Sequence, residues 1–72
     1  MSLRVQKSWA QLGNPTAPGD HDVPGLGTIV GVTAPQLQQA RSLGDRAWAV
    51  LAHLDSDGFD AEWEIVEIRA GD

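Results

Sequence analysis

The side chains able to do chemistry in this chain fall into three groups. Asp20-His21-Asp22 sets a histidine between two carboxylates, a combination that can hold zinc or make an imidazole more basic. Three consecutive residues do not converge on one ion, so such a site would need His53, another carboxylate or a second subunit. Asp55-Ser56-Asp57-Gly58-Phe59-Asp60-Ala61-Glu62 alternates carboxylates around a glycine, as a hard cation prefers. An EF-hand loop has its glycine at the sixth position and its bidentate glutamate at the twelfth. Counted from Asp55, the glycine here is fourth and Glu62 is eighth, so the segment reads as a polar turn. The third group is the tryptophans, Trp9, Trp48 and Trp63.

Other chemistries lack their residues. There is no cysteine, which removes disulfides and thiolate ligands. For Ser2, Ser8, Ser42 and Ser56 no triad geometry with a histidine can be read from the sequence. Gly25, Gly27 and Gly31 do not lead into a helix carrying a lysine, so a phosphate loop is unsupported. We therefore expect no catalytic residue, no metal and no cofactor.

The tryptophans carry more information. A domain of this size buries one or two indoles fully, and a third left partly exposed is a natural anchor for a partner. The alternative is that all three belong to the core, with their N–H groups reaching its rim. Trp63 stands between Glu62 and Glu64, which would ring an aromatic contact with negative charge and suit a basic or amine-bearing partner. The candidate binding residues are Trp63, Glu62, Glu64, Trp48, His21 and Asp22.

Charge and length bound the rest. The 72 residues carry a net charge of −5, with +1 in residues 1–44 and −6 in residues 45–72. This argues against binding a phosphate backbone, which needs clustered Lys and Arg. It permits a basic protein partner, or mimicry of nucleic-acid charge. A composition 42% hydrophobic and 21% charged is that of a folded chain. A domain this small buries only about 60% of its unfolded surface, so packing or self-association must supply its stability. No apolar run approaches the ~20 residues of a membrane span. Met1–Lys7 alternates and lacks an apolar centre, so we expect no signal peptide, no membrane partner and a cytoplasmic location.

The elements that would position these residues read as one domain, 1–72, mainly β. Leu3, Val5 and Trp9 lie on one side of a first strand. Residues 13–27 hold three prolines and four glycines and are expected to be an irregular loop, functional or mobile. Gly27–Thr33 is a second strand, with Gly31 suggesting a bend, a bulge or close backbone approach. Thr33 caps a helix near residues 34–43, Pro35 fits its first turn, and Gly44 suits its end. Residues 46–54 read either as a second helix, giving an α+β fold, or as a strand whose Trp48, Val50, Ala52 and Leu54 share a face. The turn residues Asp55–Gly58 and the alternating run Glu62–Arg69 favour a strand in a hairpin, with His53 on its less apolar, partly exposed side. Within that last run the phase slips, so a bulge or a short turn must intervene near Ile65–Val66, and two short strands broken by a tight turn would satisfy it.

This order resembles a small SH3-like barrel of about five strands with one short helix. Gly25-Leu26-Gly27-Thr28-Ile29-Val30-Gly31-Val32 is similar to the glycine-led strand of KOW-type modules in that superfold. Gly27–Gly31 also resembles the matching strand of plasmid-borne type II dihydrofolate reductases, tetramers whose central pore is the active site. That family's Val-Gln-Ile-Tyr-Pro segment is absent; Trp63–Glu67 stands roughly in its place, and no site residue carries over. The superfold hosts many functions and supplies none by itself. The expected function is a non-enzymatic module that binds a protein partner through an acidic and tryptophan-bearing surface. The alternatives are a homo-oligomeric enzyme or small-ligand binder with an inter-subunit site, and an acidic nucleic-acid mimic.

Overall fold

The computed structural model describes residues 4–54 and 61–71. Over these residues the chain is mainly β, with five strands in one mixed sheet, one short α-helix and two single-turn 3-10 helices. The strands are β1 (Arg4–Ser8), β2 (Gly19–Val23), β3 (Gly27–Val32), β4 (Ala47–Leu54) and β5 (Glu62–Ala70), and the helix is α1 (Ala34–Leu43). The sheet order is β1-β4-β5-β3-β2. All neighbours run antiparallel except β3 and β5, which are parallel and pair only at Thr28–Glu62 and Ile29–Trp63.

Residues 46–54 resolve as the strand, not the second helix. β4 lies inside the sheet with partners on both sides, and eight backbone positions pair with β5. That ladder outweighs the helical propensity of its alanines, a weak local preference. The expectation of an irregular segment at 13–27 is corrected: residues 19–23 form β2. Val23-Pro24-Gly25-Leu26 is a tight turn closed by Leu26 N–H donating to Val23 O at 3.0 Å, with Gly25 at φ +82°. Proline at the second position and a positive-φ glycine at the third are what a type II turn requires. The punctuation read from sequence was that of a hairpin turn.

Helix α1 starts as expected. The Thr33 hydroxyl accepts from Gln36 N–H, and the Gln36 amide oxygen accepts from Thr33 N–H at 3.0 Å, a reciprocal cap with Pro in the first turn. Gln36 and Gln39, one turn apart, also donate to Ile65 O at 3.2 Å and Ile68 O at 3.0 Å. They serve β5 carbonyls beyond the short β3 pairing, so the helix covers a strand edge that would otherwise be open.

Both bulges fall at marked residues. Val50 pairs with Glu67 while Leu51 pairs with Ile65, which leaves Val66 as the extra residue of β5. Ile68 thereby returns to the side of Trp63 and Ile65, and Val66 is pushed out, 41% exposed. In β3 the register shifts opposite Gly19–His21, and Gly31 adopts φ +70°. The bulge lets Ile29 and Val32 both face inward, where they are buried.

The core lies between the sheet and α1. Ile29 and Leu51 are fully buried, with Trp9, Leu12, Val23, Val32, Ala40, Ala47, Ala49, Trp63, Ile65 and Ile68 around them. Burying each large side chain contributes about 1.5–3 kcal/mol. Ala40 on the helix and Ala47 and Ala49 on β4 are small where α1 approaches the sheet. Among the described residues no buried side-chain nitrogen or oxygen lacks a hydrogen-bond partner, and no helix is long and apolar enough to cross a membrane.

Candidate interaction surface

The side of β4 facing the core is Ala47-Ala49-Leu51, and His53 follows on the same side. The more apolar side, Trp48-Val50-Ala52-Leu54, faces away from the core. Ala52 is buried, 7% exposed, but is not part of the core cluster. Trp48, Val50 and Leu54 are half-buried on that outer face.

Cross-strand register sets their neighbours. Leu54 pairs with Glu62, Ala52 with Glu64, Val50 with Glu67 and Trp48 with Arg69. On the other flank Ala52 pairs with Arg4, Val50 with Gln6 and Trp48 with Ser8. The result is an apolar stripe on β4, a line of glutamates along β5, and Arg4, Gln6 and Ser8 along β1. Val66 extends the apolar surface from its bulge.

The structure gathers three of the residues singled out in the sequence, Trp48, Glu62 and Glu64, on this outer face. It separates the other three. Trp63 lies between Glu62 and Glu64 in sequence but points to the opposite side of the sheet. It is 6% exposed and donates its indole N–H to Leu26 O at 3.1 Å. Its outer edge meets His53 in a T-shaped contact with ring centroids 5.0 Å apart. It is therefore a core residue and not a surface anchor. Trp9 is also buried, and its indole N–H donates to Pro15 O at 3.3 Å. Only Trp48 of the three is left half-covered.

His21 and Asp22 lie on β2, at the far edge of the sheet. Strand alternation turns His21 to one side and Asp20 and Asp22 to the other, so the triplet does not converge. A His21 ring nitrogen lies 2.6 Å from Ala17 O. Asp20 accepts from the Gly31 N–H at 3.0 Å, and Asp22 accepts from the Thr28 hydroxyl at 3.0 Å. Asp20 thus ties β2 to β3 across the bulge, and Asp22 ties them at its own cross-strand partner Thr28. Among the described residues no three His, Asp or Glu side chains come together as a metal site would need. The proposed turn at Asp55–Gly58, with its cation reading, lies outside the described residues.

Sequence reasoning missed Arg4, Val50, Leu54 and Glu67 as surface partners. The shared face of Trp48, Val50, Ala52 and Leu54 was visible as alternation, but its direction was not. A second feature is an open cleft of about 300 Å³ between residues 14–16 and α1, with Trp9, Leu37 and Ala40 in its lining and Arg41 and Asp45 at its rim. Comparison with protein-family models, with curated proteins and with solved structures finds no match to this chain.

Proposed function

We propose that this protein is a non-enzymatic interaction module whose working surface is the outer face of the sheet. One observation carries the reading. Among the described residues no helix lies over the apolar side of β4, which carries Trp48 near one end, although α1 lies over the opposite and less apolar side. A half-exposed tryptophan among aliphatic neighbours with a charged rim has the composition of an interface centre. The chemistry of the partner follows from the rim. A suitable partner is flat, is apolar opposite Trp48, Val50 and Leu54, and places cations opposite Glu62, Glu64 and Glu67.

The reading is tested by crosslinked capture from cells with native protein, Trp48→Ser, Glu64→Lys and Arg41→Ala. Arg41 lies on α1, away from this face. The expected result is that proteins captured by native chain persist with Arg41→Ala and are lost with Trp48→Ser and Glu64→Lys. Unchanged capture by the two sheet-face variants would show that contacts are made elsewhere.

A further inference from the structure

Resting on the outer-face reading, we infer that the partner of this face is a second copy of the same chain, packed sheet against sheet about a two-fold axis running along β4. The charge pattern selects this arrangement. Arg4 and Glu64 flank Ala52 in one row across the sheet, on opposite sides of β4. Two strand spacings separate them, roughly 10 Å. Both are exposed, and neither is in an ion pair with another described residue.

A two-fold axis parallel to β4 lays the β1 flank of one copy over the β5 flank of the other. Arg4 of each copy then meets Glu64 of its partner, twice by symmetry, and Gln6 meets Glu67. An axis across the strands would set Arg4 on Arg4 and Glu64 on Glu64, which repels. The same operation stacks the apolar stripes. Trp48, Val50 and Leu54 of the two copies face one another around Ala52. That small side chain at the axis permits the ~10 Å separation of packed sheets. The chain thus offers a surface of the kind this face requires of a partner: apolar in the middle, with Arg4 opposite Glu64. Such an interface also removes from water the apolar stripe of β4 that α1 leaves uncovered.

The test is a charge exchange read by light scattering and sedimentation, with far-UV circular dichroism confirming the fold of each variant. Native chain at roughly 0.5 mM and low salt, a concentration suited to an interface of modest area, is expected at about twice its 7.7 kDa mass. Arg4→Glu alone and Glu64→Arg alone are expected to be monomeric, with association weakened at least tenfold. An equimolar mixture of the two restores dimers containing one of each, because one contact then keeps the native Arg4–Glu64 pair and the other joins the two introduced charges with reversed sign. The double variant restores a homodimer. A native monomer under these conditions, single variants that keep the dimer mass, or a mixture that does not recover it would each overturn the inference. A monomer that still loses captured proteins on Trp48→Ser would overturn the second copy alone and leave the outer-face module standing.

Discussion

The indole of Trp48 lies flush against the backbone of Gly71, so close that a β-carbon at position 71 would overlap the ring at Nε1 and Cδ1. Gly71 is held there by its N–H donating to Arg46 O at 2.6 Å and by the Arg46 side chain donating back to Gly71 O at 3.4 Å. The residues that bracket β4 and β5 thus form a backstop for the half-exposed indole. The orientation of the proposed interface centre depends on a residue with no side chain.

Gly71→Ala is expected to displace the Trp48 ring without unfolding the protein, because the clash is with the far end of one side chain. In a nitrogen–proton NMR spectrum the Trp48 indole signal should move while those of Trp9 and Trp63 stay in place. Stability should change by less than about 1 kcal/mol. An unmoved Trp48 signal would mean that the ring does not rest on Gly71 in solution.

The tryptophans should differ sharply in what truncation does. Trp63→Ala removes a buried ring and its bond to Leu26 O, for a loss of about 3–5 kcal/mol. A domain of this length has a total stability of roughly 4–11 kcal/mol, so this variant should be largely unfolded or close to it. Trp48→Ala should lose only about 1 kcal/mol, since the ring is already partly exposed. Urea unfolding of the two variants checks the order, and equal losses would contradict the burial of Trp63 against Trp48.

Gln36 has two partners and Gln39 one. Gln39→Ala leaves Ile68 O unserved and should destabilise by about 1 kcal/mol, whereas Gln36→Ala also opens the helix cap and should lose about twice that. Amide hydrogen exchange offers a second readout: protection along α1 should fall in the Gln36 variant more than in the Gln39 variant. Equal effects would mean that the cap and the β5 contact are not both formed.

A chain lacking Val66 should fold. With the bulge residue removed, Trp63, Ile65 and Ile68 alternate with Glu64 and Glu67 without interruption, so every remaining β5 side chain keeps its face. Deleting Glu64 instead would reverse the faces of the residues beyond it and is expected to abolish cooperative thermal unfolding. Similar melting curves for the two deletions would place the bulge elsewhere.

At the other bulge, Gly31→Ala forces a β-carbon into φ +70° and should lose about 1 kcal/mol or more. Asp20→Ala removes the acceptor of the Gly31 N–H and should lose about 1 kcal/mol, with Asp20→Asn closer to native because an amide oxygen can still accept. Chemical denaturation separates the three. Indifference to Asp20→Ala would show that the carboxylate does not tie the bulge.

Local chemistry alone determined the helix and the positions of both irregularities, while the β4–β5 ladder settled residues 47–54 as strand. Thr33, Pro35 and Gln36 start α1 through bonds that span three residues. Gly31 and the Ile65–Val66 phase slip mark their bulges because period-two alternation shows any extra residue. The Pro24-Gly25 pair equally encoded a turn, though its density of prolines and glycines concealed the short strand before it. The tertiary structure decided which side of each strand is inside. Alternation divides Trp48, Val50, Ala52 and Leu54 from Ala47, Ala49, Leu51 and His53, but only the approach of α1 makes the alanine side the core, since a helix packs closely where side chains are small. The same placement buried Trp63 between two exposed glutamates and brought β3 beside β5 in parallel. It also set Arg4 in one row with Glu64, because lateral neighbours in a sheet are set by long-range register, which no local window of residues contains.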